Sequence, residues 1–223
     1  DRSVSRGLGD VYKRQMYTSA DIKNVFQTAE RIMTENAALL SELDAAMGDG
    51  DLGLYMQRGF VKGAHVAESL DETPSKLLRT IGMCIMEEAP STLGTLIGLF
   101  IRGAGSALPK DAAEFDFAAF LAMMQRGYDE IVKRGGAKLG EKTILDSLHP
   151  AIEAMKKAYA EGVSEKDCLK AGLAGAQTGL AAATQMKAVH GRPAYFGEKT
   201  IGMQDGGATV GMLLFKSIYA AFV

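Results

Sequence analysis

The sequence predicts an all-α fold, an antiparallel up-down bundle of about eight helices. Three observations carry this expectation. Apolar residues recur at helical spacing along almost the whole chain. No stretch alternates apolar and polar residues convincingly enough to read as a strand. Small residues such as Ala171, Ala174, Ala176, Ala181 and Ala182 form stripes that let helices approach closely.

Thr18 and Asp21 form a capping-box-like start. Ile22, Val25, Phe26, Ala29, Ile32, Met33 and Leu40 then mark a first helix. A second covers Leu54 to Ala67. Pro74, suited to a first helical turn, opens a third through Leu77, Leu78, Ile81 and Ile85. The break Ala89-Pro90-Ser91-Thr92 precedes a fourth, ending near Ala107. Asp116 opens a fifth, which Gly135-Gly136 ends after Arg134. A sixth runs from about Thr143 to Tyr159. Ser164 and Asp167 make a second capping box, opening a seventh through Met186. A loop from His190 to Gly207 leads to the last helix, Ala208 to Ala221. The twelve methionines read as core filler.

Composition sets outer limits. The 223 residues suffice for one large domain, taken as residues 16–223. A net charge of −2 gives no reason to expect nucleic acid or an anionic membrane as partner. No apolar run approaches the ~18 residues of a membrane span. Cys84 and Cys168 sit in apolar helical patterns without CxxC spacing. They read as buried thiols of a reducing compartment, hence a cytoplasmic location. Asp1 to Gln15 is polar, Gly/Arg-rich and aperiodic. It is expected to be a disordered, non-native leader, with the native start at Met16.

The chemistry is concentrated in Leu43-Asp44-Ala45-Ala46-Met47-Gly48-Asp49-Gly50-Asp51-Leu52-Gly53. Glycines let the backbone turn so that three carboxylates converge. Such a cluster repels itself unless a cation neutralises it. Hard oxygen ligands suit Mg²⁺ or Ca²⁺, and Mg²⁺ commonly shares a few carboxylates with substrate phosphates. The spacing is not that of an EF-hand. Three other polar segments, Ala89–Thr95, Gly135–Thr143 and Gly191–Thr209, separate apolar helices. All four are odd-to-even connections, so an up-down bundle brings them to one end. Helix amino termini there supply free N–H groups and positive dipole for phosphate. Gly135 to Thr143 superficially resembles a Walker A loop, but Glu141 interrupts the required Gly-Lys-Ser/Thr and a helix precedes it.

Four ordered motifs carry a family resemblance. They are Leu43-Asp44 through Gly48-Asp49-Gly50-Asp51-Leu52-Gly53 with Tyr55-Met56-Gln57-Arg58-Gly59-Phe60; Gly140-Glu141-Lys142-Thr143-Ile144-Leu145-Asp146; Gly191 to Gly202; and Gln204-Asp205-Gly206-Gly207-Ala208-Thr209. Together they resemble the nucleotide-binding L subunit, or L domain, of dihydroxyacetone kinases. The resemblance implies an antiparallel eight-helix barrel with nucleotide and metal in the loops at one end. It implies Mg²⁺ held by Asp44, Asp49 and Asp51, bridging the phosphates of ADP or ATP. It places nucleotide contacts at Leu52, Gly53, Leu54, Tyr55, Ser91, Thr92, Gly135, Ile144, Arg192, Asp205, Gly206 and Gly207. Arg192 would stabilise charge on the transferring phosphoryl group, and no other catalytic side chain is expected. His65, His149 and His190 read as structural.

The resemblance also implies a partner, a K-type subunit holding the carbonyl substrate, and an L chain inactive without it. A phosphocarrier protein as phosphoryl donor and a homodimer are further partner expectations. Leu52 stands where the family has His, Tyr55 where it has Asn, and Gly206 where it has Pro. Ala89-Pro90-Ser91-Thr92-Leu93-Gly94 replaces a glycine-rich turn. These departures suggest a paralogue. Two other functions stay open: a non-catalytic nucleotide-binding or regulatory partner, and a helical barrel binding an apolar ligand.

Overall fold

A computed structural model describes residues 15–223. The expectation of a disordered leader falls almost wholly on residues 1–14, outside the described part. The helices are α1 (Ser19–Glu35), α2 (Ala37–Ala45), α3 (Leu52–Ser69), α4 (Pro74–Glu88), α5 (Thr92–Ser106), α6 (Phe117–Gly135), α7 (Leu145–Ala160), α8 (Glu165–Ala183) and α9 (Gly206–Phe222). A 3-10 segment, Arg192–Thr200, precedes α9. The strands β1 (Tyr17–Thr18) and β2 (Glu114–Phe115) pair antiparallel. At two residues each they are too short to leave an alternating signature.

The start and stop signals act as the chemistry requires. The Thr18 hydroxyl accepts from Ala20 N–H, and the Asp21 carboxylate accepts from Thr18 N–H at 2.7 Å. Ser164 caps α8 through Asp167 N–H. Gly136, at φ +67°, ends α6. One expectation needs correction. The first predicted helix breaks at Asn36, which lies at φ −105°, ψ 6°. Its side-chain amide donates to the Ile32 carbonyl at 2.7 Å, competing with the helical ladder. The chain re-enters as α2, which carries Asp44 in its last turn.

Consecutive long helices pack on one another from α3 to α9, and α9 packs back on α1, which also contacts α3. This closes a ring of eight, with α2 lying against α3 and α9. The interior is one apolar core in which Met33, Met56, Phe60, Ile81, Ile97, Phe117, Ile131 and Phe215 are fully buried. α7 and α8 approach unusually closely. A Cβ at Gly179 would lie 2.1 Å from the Asp146 carbonyl, so only glycine allows this spacing. Cys168 is buried, whereas Cys84 is only half-buried on α4, and neither is bridged. Inside the ring, α1, α3, α5 and α6 leave an apolar cavity of about 80 Å³ beside Phe26, Phe60, Phe100 and Phe120. This is smaller than the ~150 Å³ that accommodates benzene. Among the described residues no helix is long and apolar enough to cross a membrane.

Candidate functional site

A polar cleft of about 960 Å³ opens at one end of the ring. The connections α2–α3, α4–α5, α6–α7 and α8–α9, the four that the sequence brings to one end, line it. The metal loop contributes Asp44, Asp49 and Asp51, followed by Leu52 and Tyr55 of α3. The other connections contribute Ser91 and Thr92, Gly135 and Ile144, and Arg192, Asp205, Gly206 and Gly207. Two of the sequence-predicted residues do not line it. Gly53 faces α2, where a Cβ would sit 1.9 Å from the Ala37 carbonyl, and Leu54 is exposed.

The metal loop is shaped by its own backbone. Asp44 accepts from Gly50 N–H at 2.8 Å and Asp51 N–H at 3.1 Å, which curls the loop around its carboxylate. Gly50 takes φ +78°, and a Cβ at Gly48 would lie 2.4 Å from Asp44 Oδ1. Carboxylate oxygens of Asp44, Asp49 and Asp51 come within 4.8 Å of one another. Burial and the neighbouring Asp49 charge push the Asp51 carboxyl up, against a lowering hydrogen bond from Tyr55. The Asp51 charge in turn raises the Tyr55 phenol. Three hard oxygen donors under mutual repulsion fit a divalent cation such as Mg²⁺. Arg192 reaches across the cleft to Asp49 Oδ2 at 2.6 Å, tying the 3-10 segment to the metal loop.

Helix amino termini complete the lining. No side chain caps α3, so Asp51 offers no capping oxygen to its first turn, whereas at α7 the Thr143 hydroxyl accepts from Leu145 N–H at 3.2 Å. Ser91 caps α5 through Gly94 N–H, and Asp205 caps α9 through Ala208 N–H at 2.7 Å.

Asp205 is buried, and this pushes its carboxyl up to about 6; the Ala208 hydrogen bond and the Lys142 charge pull the other way. The folded state therefore holds this proton more tightly than the unfolded chain does. The resulting stability is fully present below the ordinary value of 3.8 and is lost as pH rises through about 6. The loss is on the order of 3 kcal/mol. Asp205→Asn keeps a capping oxygen but cannot titrate. Urea unfolding is expected to show wild-type stability falling relative to the variant between about pH 4 and 7. A constant difference across that range would refute the assignment.

Sequence reasoning missed the two latches that hold the loops together. Lys142 is buried at φ +59° and donates to the carbonyls of Ala183, Thr184 and Met203 at 2.9, 3.3 and 2.6 Å. Burial lowers its pKa. This ammonium is spent on backbone, unlike a Walker A lysine, and α6 rather than a strand precedes the loop. The buried Asp146 accepts from Gly140 N–H and Thr143 N–H, closing the same loop. Glu141 pairs with His190 at 2.6 Å, and the Lys138 N–H and then His190 hold its carboxyl below the usual range. His190 is thus a structural tie between the third and fourth loops. Arg134, in the last turn of α6, also lines the cleft and was not anticipated.

A closed ring of antiparallel helices with carboxylates, an arginine and helix amino termini gathered at one end defines an all-α barrel with a polar cleft at its loop end. The DAK2 domain family model matches residues 46–220. The chain belongs to the DAK2 domain family. It is 31% identical over 195 residues to the ADP-binding subunit DhaL of the PEP-dependent dihydroxyacetone kinase of Escherichia coli, covering 85% of this chain and 90% of that protein. It is 32% identical over 192 residues to the corresponding subunit of kinase 1 from Listeria innocua, covering 85% and 89%. It is 28% identical to an L-erythrulose 1-kinase of Mycolicibacterium smegmatis, where it covers only 35% of the relative. The C. freundii dihydroxyacetone kinase, solved with AMP-PNP and Mg²⁺, superposes with a TM-score of 0.70 at 21% identity. That match covers 99% of this chain and 37% of the longer one, and shows the shared fold.

Proposed function

We propose that this chain is the ADP/ATP–Mg²⁺-binding subunit of a dihydroxyacetone-kinase-like phosphotransferase. It would pass a phosphoryl group to a small carbonyl substrate held by a separate K-type subunit. The observation that carries this reading is the convergence of Asp44, Asp49 and Asp51 in a cleft walled by helix amino termini. Two relatives similar over most of their length are named as ADP-binding kinase subunits.

Mg²⁺, held by the three aspartates, would neutralise phosphate charge. The chain's own groups do the rest. First-turn N–H groups of α3 and those of α5 not taken by Ser91, with Thr92, would donate to the phosphates. Arg192 stands beside Asp49 with its guanidinium at the same end, placed to offset charge on the transferring group. Leu52, Ile144, Gly135, Gly206 and Gly207 line the cleft and would hold base and sugar. Gly53 and Leu54 would act through backbone at the start of α3. The phosphoryl donor would be ATP or a phosphocarrier protein, and the site would work in the cytoplasm.

The decisive experiment is a coupled assay over a panel of short ketoses and aldoses, with and without a K-type subunit. The chain alone is expected to be silent and the pair active, because proximity supplies up to roughly 7–11 kcal/mol of such a barrier. Nucleotide is expected to raise the melting temperature only with Mg²⁺ present, stabilising the fold by roughly 2.7 kcal/mol at a hundredfold excess over Kd. Turnover by the chain alone would overturn the split site. Mg²⁺-dependent binding without turnover beside any K-type partner would favour a regulatory nucleotide binder.

A further inference from the structure

A second cleft, of about 220 Å³, lies on the outer wall of the ring, away from the end that holds the aspartates. Arg79 of α4, Arg102 of α5 and Arg126 of α6 line it, with Leu99, Ser106 and Glu130. Arg79 lies nine positions before Glu88, and Arg102 ten after Thr92, so each stands about 15 Å along its helix from the loop end.

Three arginines and one glutamate line it, leaving two net positive charges in the lining of a chain whose overall charge is −2. Glu130 is already paired with Arg126 at 2.6 Å. Neither Arg79 nor Arg102 has an ion-pair or hydrogen-bond partner among the described residues. Like charges gathered on three adjacent helices cost stability unless something answers them.

The cleft is also built rather than incidental. A Cβ at Gly105 would lie 3.2 Å from Arg79 Cγ, and one at Gly82 would lie 3.1 Å from Arg102 Cβ. The Arg79 stem therefore rests over Gly105 of α5, and α4 and α5 approach closely at Gly82, beside the Arg102 backbone. A seated stem loses less freedom on binding, which favours affinity. Guanidinium forks match the oxygens of phosphate bidentately. The volume lies below the ~300 Å³ at which drug-sized pockets begin, so it suits a compact group.

We propose that Arg79, Arg102 and Arg126 form a second anion site, separate from the loop-end cleft, that takes a small phosphate-bearing dianion such as a phosphomonoester. It is independent of the nucleotide reading.

The test is calorimetric titration of the full chain with inorganic phosphate and with methyl phosphate, at low salt and without Mg²⁺. Four proteins are compared: wild type, Arg79→Gln/Arg102→Gln, Arg102→Lys, and Arg192→Ala, which lacks the loop-end arginine. Millimolar or tighter binding is expected in wild type and Arg192→Ala. The double variant should bind roughly a hundredfold more weakly, about tenfold for each guanidinium removed. Arg102→Lys keeps the charge but loses the fork, so it should weaken binding several-fold while preserving helicity and the melting temperature. Unchanged binding in the double variant, loss of binding in Arg192→Ala alone, or no binding to wild type would each overturn the proposal. Binding of a polyglutamate peptide but of neither phosphate probe would also overturn it, and would assign the cleft to an acidic protein surface.

Discussion

Replacing Asp49 or Asp51 with alanine is expected to weaken Mg²⁺-dependent ADP binding by at least roughly a hundredfold, beyond the 10–100-fold typical of residues that only support metal ligands. The fold should survive, because neither side chain is fully buried and both stand in a loop. Without cation Asp51→Ala is expected to be as stable as wild type or more so, since a like charge is removed from the trio, whereas Asp49→Ala also loses the Arg192 ion pair. Titration calorimetry with ADP and Mg²⁺ checks the first part and thermal melting the second. Asp44→Ala should behave differently. Its carboxylate also accepts the Gly50 and Asp51 N–H groups, so its loss loosens the loop itself. Unchanged ADP affinity in both Asp49→Ala and Asp51→Ala would remove the metal assignment.

Lys142→Met is expected to cost about 3 kcal/mol, because three carbonyls lose a buried charged donor at once. In a domain of this size that corresponds to a melting temperature lower by roughly 6–12 °C. Nucleotide affinity should fall as well, although the ammonium is bonded to backbone carbonyls. The lysine fastens the third loop to the end of α8 and to Met203, two residues before Asp205. Arginine is not expected to rescue it, because a planar fork cannot meet three carbonyls in a space shaped for one ammonium. Denaturant unfolding of the two variants beside wild type decides this, and a loss under about 1 kcal/mol would mean the latch is slack.

The helices were legible because each announces itself locally. Thr18, Ser164 and Asp116 cap, Pro74 starts and Gly136 stops, and apolar spacing does the rest. The meeting of four loops at one end followed from counting connections. What the sequence hid depends on partners far away in the chain. Lys142 looks like a surface lysine until Ala183 and Met203 come to it, and Glu141 carries no mark of His190. The break at Asn36 was hidden for the opposite reason. Its apolar flanks keep helical phase across it, and one side-chain amide decides the matter.

The ring has a seam where α9 lies on α1. There Asn24 donates to the Ala221 carbonyl across 197 positions of sequence, and Tyr17 packs edge-on against Phe222. On a ribosome, α1 to α8 can form and stack in order, each on the one before. The barrel stays an open trough until α9 emerges. Until then Phe26, Phe60 and their neighbours face water or whatever else is near. Assembly is therefore limited by its longest-range contact rather than by helix formation. Newly made chains should be most exposed to chaperones and proteases at that stage. Substitutions along the α1–α9 seam should lower yield in cells more than they lower the stability of the finished protein.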